Sequence, residues 1–222
     1  MLIALENWQP GDTAPSLRAG EVHLWRANLD EQAGSPAPLS PAEWIRADRF
    51  HFERDRRRFI AGRGILRRVL ARYLGIPAEE TLLTTGPHGK PQLEGDTTLR
   101  FNLSHSDDLM LLAVTHVREI GVDLEFMRDN VPFETLADHY FDPEDAWDLR
   151  LLPAAQRAWK FYDIWTCMEA RLKASGAGLA HGFTLTEPDR WALLKFTPAA
   201  GYTATLAVEG GDFQLQCWSW QN

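Results

Sequence analysis

Residues Ile120–Phe126 read IGVDLEF, a run with the composition of a buried strand that nevertheless carries two carboxylates. Ile, Val, Leu and Phe suit a pleated, half-buried surface. Successive side chains of a strand point to opposite faces, which puts Val122, Leu124 and Phe126 on one side and Gly121, Asp123 and Glu125 on the other. Two ionised carboxylates about 5 Å apart repel by roughly 3 kcal/mol at an effective dielectric near 20. Solvent, a basic side chain, a shared proton or a cation must offset that repulsion. A solvated face of an antiparallel strand is the plainest of these.

Upstream of this strand, short strands are expected at Thr81–Thr84, Leu99–Leu103 and Met110–Thr115, with the turn GPHGKP between the first two. They follow a helical stretch that opens at Ser40–Pro41 and runs to about Leu74, with Phe59, Ile65, Leu66, Val69 and Leu70 in its apolar stripe and Gly75 placed to end it. A further strand, Glu21–Arg26, precedes a loop rich in Pro, Ser and Gly. The order then repeats. Two weaker helices near Phe133–Tyr140 and Pro143–Leu151 lead to a long one at Ala154–Ser175, stopped by GAG at Gly176–Gly178. Strands at Phe183–Thr186, Trp191–Phe196, Thr203–Val208 and Phe213–Trp218 follow. A helix followed by an antiparallel meander, twice over, predicts an α+β fold of two similar halves, residues 1–118 and 119–222.

With 222 residues, 45% of them hydrophobic, the chain can fill a substantial core. No stretch approaches the roughly 20 apolar residues of a membrane span, and MLIALENWQPGD lacks the basic region and apolar segment of a signal peptide. Cys167 and Cys217 are too few and too far apart for a disulfide framework or a zinc cluster. A cytoplasmic, soluble monomer is expected. Charge is unevenly spread. Arg46–Arg72 holds ten Arg against Asp48, Glu53 and Asp55, or +7, which leaves −15 for the rest of a chain whose total is −8. Such segregation suits a small anionic ligand, and Arg is the side chain that grips phosphate bidentately. A solvated amphipathic helix is the alternative. The acidic remainder would repel a nucleic-acid backbone.

In the second long helix, Trp165, Glu169 and Lys173 stand at i, i+4 and i+8, on one face. A Glu–Lys pair at that spacing is ordinarily surface decoration, but this one lies beside Met168 and Leu172, near the apolar stripe, where a buried charge is costly. Glu169 would then join Asp123 and Glu125. Three carboxylates without a Cys or His cluster favour a hard cation such as magnesium, which commonly shares a phosphate with its substrate. Ser104 and His105, in FNLSHSDD, point to opposite strand faces and so do not make a nucleophile–base pair; ligand contacts or a turn role fit them better. Lys90 sits in the GKP turn, where a cation can meet phosphate.

GKP, FNLSHS, IGVDLE and WT..EA..KA.G.GL, in this order and spacing across Arg46–Leu179, resemble the phosphopantetheinyl transferases of the surfactin-synthetase-activating type. The resemblance implies a pseudo-twofold pair of α+β halves with the site at their junction. It also implies transfer of 4′-phosphopantetheine from coenzyme A to a serine of an apo acyl or peptidyl carrier protein, with magnesium, releasing 3′,5′-ADP. Matched motif by motif, Asp123, Glu125 and Glu169 correspond to the metal ligands, with Asp123 and Glu169 also catalytic, and Lys173 to the lysine at the reacting phosphate. Lys90, Ser104 and His105 correspond to residues holding the coenzyme, and Arg46 and Arg58 fall where basic residues meet its 3′-phosphate. One position departs: the family commonly has Lys before the helix glutamate, and this chain has Met168. A carboxylate-dependent hydrolase and a degenerate, binding-only transferase are the other classes open to these residues.

Overall fold

The segment Leu109–His116, LMLLAVTH, is apolar on both faces, and in the computed structural model both faces are covered. Leu109, Leu111 and Ala113 face one core, while Met110, Leu112 and Val114 face another. The structure describes residues 3–11, 16–31, 37–86, 88–95, 97–177 and 188–221. In chain order the elements are β1 (Ile3–Ala4), β2 (Gln9–Pro10), β3 (Glu21–Asn28), α1 (Pro41–Ala47), α2 (Glu53–Leu74), β4 (Leu83–Thr85), β5 (Pro91–Leu93), β6 (Leu99–Ser106), β7 (Leu109–His116) and β8 (Ile120–Phe126). They continue with α3 (Phe133–Tyr140), α4 (Pro143–Leu151), α5 (Ala154–Ser175), β9 (Trp191–Thr197), β10 (Tyr202–Glu209) and β11 (Gln214–Ser219).

Two sheets pack face to face between two long helices. A five-stranded sheet, β2-β11-β3-β7-β6, carries α2 on its outer face, and a four-stranded sheet, β1-β9-β10-β8, carries α5. The central core joins Val22, Leu24 and Leu111 of the first sheet to Val122, Leu124 and Leu206 of the second. The fold is therefore α+β, with two helix-and-sheet halves packed pseudo-symmetrically. The halves exchange their ends. β1 pairs with β9, and β11 lies parallel to β3, with Trp218 opposite Trp25. The expected strand at Phe183–Thr186 lies outside the described residues.

The expected single helix from Ser40 to Leu74 is two, broken at Asp48–Phe52. Ser40 caps α1 in a capping box with Glu43, and Phe52 enters α2 in an extended conformation. The break folds α1 across α2, so that Glu43 accepts from Arg63 Nε at 2.7 Å and Arg67 Nε at 3.0 Å. A straight helix could not close those ion pairs.

Gly121 decides where α5 lies. A Cβ there would stand 2.0 Å from the carbonyl oxygen of Ala170 and 2.4 Å from the backbone nitrogen of Ala174. With no side chain between them, the helix rests directly on β8. The glycine, aspartate and glutamate face is thus roofed by α5 rather than solvated, and Asp123 is 3% exposed.

Candidate active site

The two sheets meet along β6 and β8, an edge strand of each. Edge strands leave backbone groups unpaired, and here alternate residues of FNLSHS reach across to the neighbouring strand. Asn102 Oδ1 accepts from Val122 N–H at 2.8 Å, and Ser106 Oγ accepts from Phe126 N–H at 3.0 Å. Ser106 Oγ also donates to Glu125 Oε2 at 2.9 Å, and Ser104 Oγ donates to Asp123 Oδ1 at 3.1 Å. Sequence reading singled out Ser104 but missed Asn102 and Ser106, which the period of two would have found on the same strand face.

Over this seam α5 places Glu169 and Lys173. The Lys173 ammonium donates to Asp123 Oδ1 at 2.5 Å and to Ser104 Oγ at 2.9 Å. Asp123 Oδ2 is buried without a hydrogen-bond partner. Glu169 has its pKa raised, first by desolvation and then by Asp123, against the opposing charge of Lys173. Desolvation and Asp123 likewise raise the pKa of Glu125, against the hydrogen bond from Ser106. Each glutamate therefore feels both the aspartate and the opposing ammonium of Lys173. Among the described residues, no cluster of three or more His, Cys, Asp or Glu side chains forms a ready metal site in this structure. The donor chemistry still suits a hard cation: the charge of Asp123 acts on both Glu125 and Glu169, and its buried Oδ2 lacks any donor.

Beside the acids lies a cavity of about 430 Å³ whose polar wall includes Arg46, Arg54, Arg58, His105, Asp107 and Arg128. Arg46 stacks over Phe59 at 5.2 Å. Arg58 is held by Asp30, at 2.8 and 2.7 Å, and by Asp107 at 2.6 Å, and these carboxylates hold its pKa above the usual arginine value. Desolvation lowers the pKa of His105, and the charges of Lys173, Arg46 and Arg58 lower it further. The imidazole thus marks the place where acid cluster and Arg cavity meet. Lys90 stands apart, bonded to Glu119 Oε2 at 3.3 Å and to the carbonyls of Ile120 at 3.2 Å and Ala174 at 3.1 Å. Met168 faces away from the acids, into the apolar cluster of α3, α4 and α5 with Phe141, Leu149 and Phe161.

Residues 23–117 match the description "4'-phosphopantetheinyl transferase, N-terminal", and residues 119–220 match "4'-phosphopantetheinyl transferase superfamily". The chain belongs to the 4′-phosphopantetheinyl transferase superfamily. It is 40% identical over 231 residues to the 4'-phosphopantetheinyl transferase HetI of Nostoc sp., covering 96% of this chain and 98% of that protein. It is 36% identical over 189 residues to the putative 4'-phosphopantetheinyl transferase slr0495 of Synechocystis sp., covering 82% and 76%. To the L-aminoadipate-semialdehyde dehydrogenase-phosphopantetheinyl transferase of Xenopus laevis it is 32% identical over 181 residues, covering 69% and 58%. The transferase moves phosphopantetheine from coenzyme A to a carrier protein. Among its described residues no helix is long and apolar enough to cross a membrane.

Proposed function

We propose that this transferase works as a magnesium-dependent monomer, with Asp123, Glu125 and Glu169 holding the metal and Lys173 meeting the reacting phosphate. Residues 1–118 would hold the coenzyme, and residues 119–222 would supply the acids and the catalytic helix. The observation that carries this reading is the buried, unpartnered Oδ2 of Asp123, an aspartate whose charge helps to raise the pKa values of both Glu125 and Glu169. A bound magnesium ion supplies neutralising charge to a phosphoanhydride.

The chain's own residues do the rest. Lys173, already aimed at the seam by Asp123 and Ser104, stabilises charge on the phosphoryl oxygens. Glu169, which would be a modest base when it also holds the metal, accepts the proton of the incoming serine directly or through water. Arg46, Arg58 and His105 hold the 3′-phosphate end, and Ser104 fixes both Lys173 and Asp123. The assignment of Lys90 to the coenzyme is carried by its GKP motif, since its ammonium is engaged by Glu119 and two backbone carbonyls. The nucleophile belongs to the carrier, which explains why Ser104 and His105 need not act as a pair.

Intact-mass measurement on a panel of apo carriers, incubated with the transferase, coenzyme A and magnesium, tests the reading. Phosphopantetheine addition that stops in excess chelator is expected. Full transfer in chelator would remove the metal from the site, and coenzyme cleavage without carrier modification would favour a hydrolase.

A further inference from the structure

The cavity beside the acids is walled by both halves, and among the described residues its one basic residue from the second half is Arg128. Arg128 follows the metal-site strand by two residues, and its backbone is held by α5. Its N–H donates to the Tyr162 hydroxyl at 3.2 Å, and that hydroxyl in turn donates to the Arg128 carbonyl at 3.5 Å. The preceding residue is fixed as well, Met127 N–H donating to the Gly201 carbonyl at 2.9 Å. Its side chain is 52% exposed, lies 5.6 Å from the Phe126 ring, and meets Asp107 at 3.6 Å, beyond good hydrogen-bond length.

The other cavity cations differ in how far they are committed. Arg58 is doubly paired, with Asp30 and Asp107, and Arg54 lies 3.5 Å from Asp55. Arg46 has no carboxylate within ion-pair distance among the described residues. Arg46, Arg54 and Arg128 are therefore the cavity cations most available to an incoming anion, and of these Arg128 is the one contributed by the second half. Two guanidiniums brought to one phosphate from two sides hold it more selectively than one, because each offers a planar fork of donors.

We propose that Arg128 is a coenzyme-binding residue that exchanges its loose contact with Asp107 for the 3′-phosphate of coenzyme A, with Tyr162 as the residue that positions it. This rests on the reading of the cavity as the 3′-phosphate site. Coenzyme binding then bridges the halves, through Arg46 and Arg58 on one side and Arg128 on the other.

Calorimetric binding of coenzyme A and of dephospho-coenzyme A, without carrier, tests the proposal on the wild type, Arg128→Ala, Arg128→Lys, Tyr162→Phe and Arg46→Ala. Arg128→Ala is expected to weaken coenzyme A binding about tenfold or more and to leave dephospho-coenzyme A unchanged. Arg128→Lys should recover part of the loss, and Tyr162→Phe should show the same ligand dependence at about threefold, since it removes a neutral hydrogen bond. If Arg46→Ala shows the 3′-phosphate-dependent loss and Arg128→Ala does not, the proposal fails while the cavity reading stands. If neither variant distinguishes the two ligands, the cavity reading fails and the proposal with it. A raised carrier KM in Arg128→Ala with unchanged coenzyme affinity would assign the residue to the partner and overturn the proposal.

Discussion

Replacing Lys173 by Ala separates a catalytic ammonium from helix decoration, because the two roles differ in magnitude on two scales. An exposed i, i+4 pair contributes about 0.3–0.5 kcal/mol. In the structure, however, the ammonium donates to Asp123, whose side chain is 4% exposed, while Lys173 itself is 28% exposed. Removing one partner of a buried pair costs about 3–5 kcal/mol. The partial exposure of Lys173 and the hydrogen bond that Ser104 still gives Asp123 bring the expectation to about 2–3 kcal/mol. For a chain of this size that lowers Tm by about 4–12 °C. Loss of a donor to developing transition-state charge should slow transfer by about 10²–10³-fold, with a smaller loss of coenzyme affinity. Lys173→Arg should restore only part of the rate, since a planar fork replaces a compact ammonium. In an Asp123→Asn background the stability cost of Lys173→Ala should shrink, because no buried charge is left behind. The assays are single-turnover transfer to an apo carrier, coenzyme A binding and thermal unfolding. A transfer rate within about twofold of wild type, with a stability loss below about 0.5 kcal/mol, is what helix decoration requires, and it would refute a catalytic role for the ammonium.

Glu169→Gln removes a carboxylate that is costly in the metal-free protein, so Tm in chelator should rise while the Tm increase on adding magnesium disappears. The sign follows from linkage: a carboxylate pKa raised by folding means that ionisation opposes the folded state, and this penalty grows as pH rises through the raised value. Gly121→Ala drives a methyl group into the backbone of α5, and a loss of more than about 3 kcal/mol is expected in urea unfolding; a wild-type midpoint would show that the helix can lift. His23, 0% exposed and bonded through Nδ1 to Tyr73 Oη at 2.8 Å, has its pKa lowered by desolvation. The unfolded chain therefore binds the extra proton, and His23's contribution is complete above pH 6.5 or so and falls as pH drops through that value, by at most about 1.4 kcal/mol per pH unit. Urea midpoints from pH 8 to pH 5 in the wild type and His23→Gln should diverge in slope; parallel curves would clear His23 of the effect.

Much of the architecture was legible because it rests on local periodicity. The bounds of α3, α4 and α5 follow from helical spacing and the glycine stop, and β8 from alternation. Two features were not. The break at Asp48–Phe52 depends on the ion pairs of Glu43 with Arg63 and Arg67, and those partners lie a helix away. The pairing of β11 with β3 joins residues that no window of the sequence holds together. In the candidate site, Ser104, Asp123 and Lys173, named by the family resemblance, are hydrogen-bonded to one another, while His105 lines the neighbouring cavity. Arg128 carried no such signal, because a single Arg beyond a strand end looks the same whether it faces solvent or a cavity. Lys90 shows the converse, for a motif names a residue without naming the acceptors its ammonium meets.

The exchange of strands between the halves sets the order in which this enzyme can come into being. β11 is an interior strand of the five-stranded sheet, flanked by β2 and β3, and Gln214 pairs with Glu21. A nascent chain that has completed β3, β6 and β7 still lacks the strand that closes the other side of β3. Loop closure over such a separation is entropically unfavourable and makes folding slow. The sheet that carries His105 into the cavity wall therefore stays open along β3 until β11 has left the ribosome. A chain released short of Gln214 would present β3 as a bare apolar edge open to strand addition from other chains, so the emergence of β11 and the competence of the site arrive together.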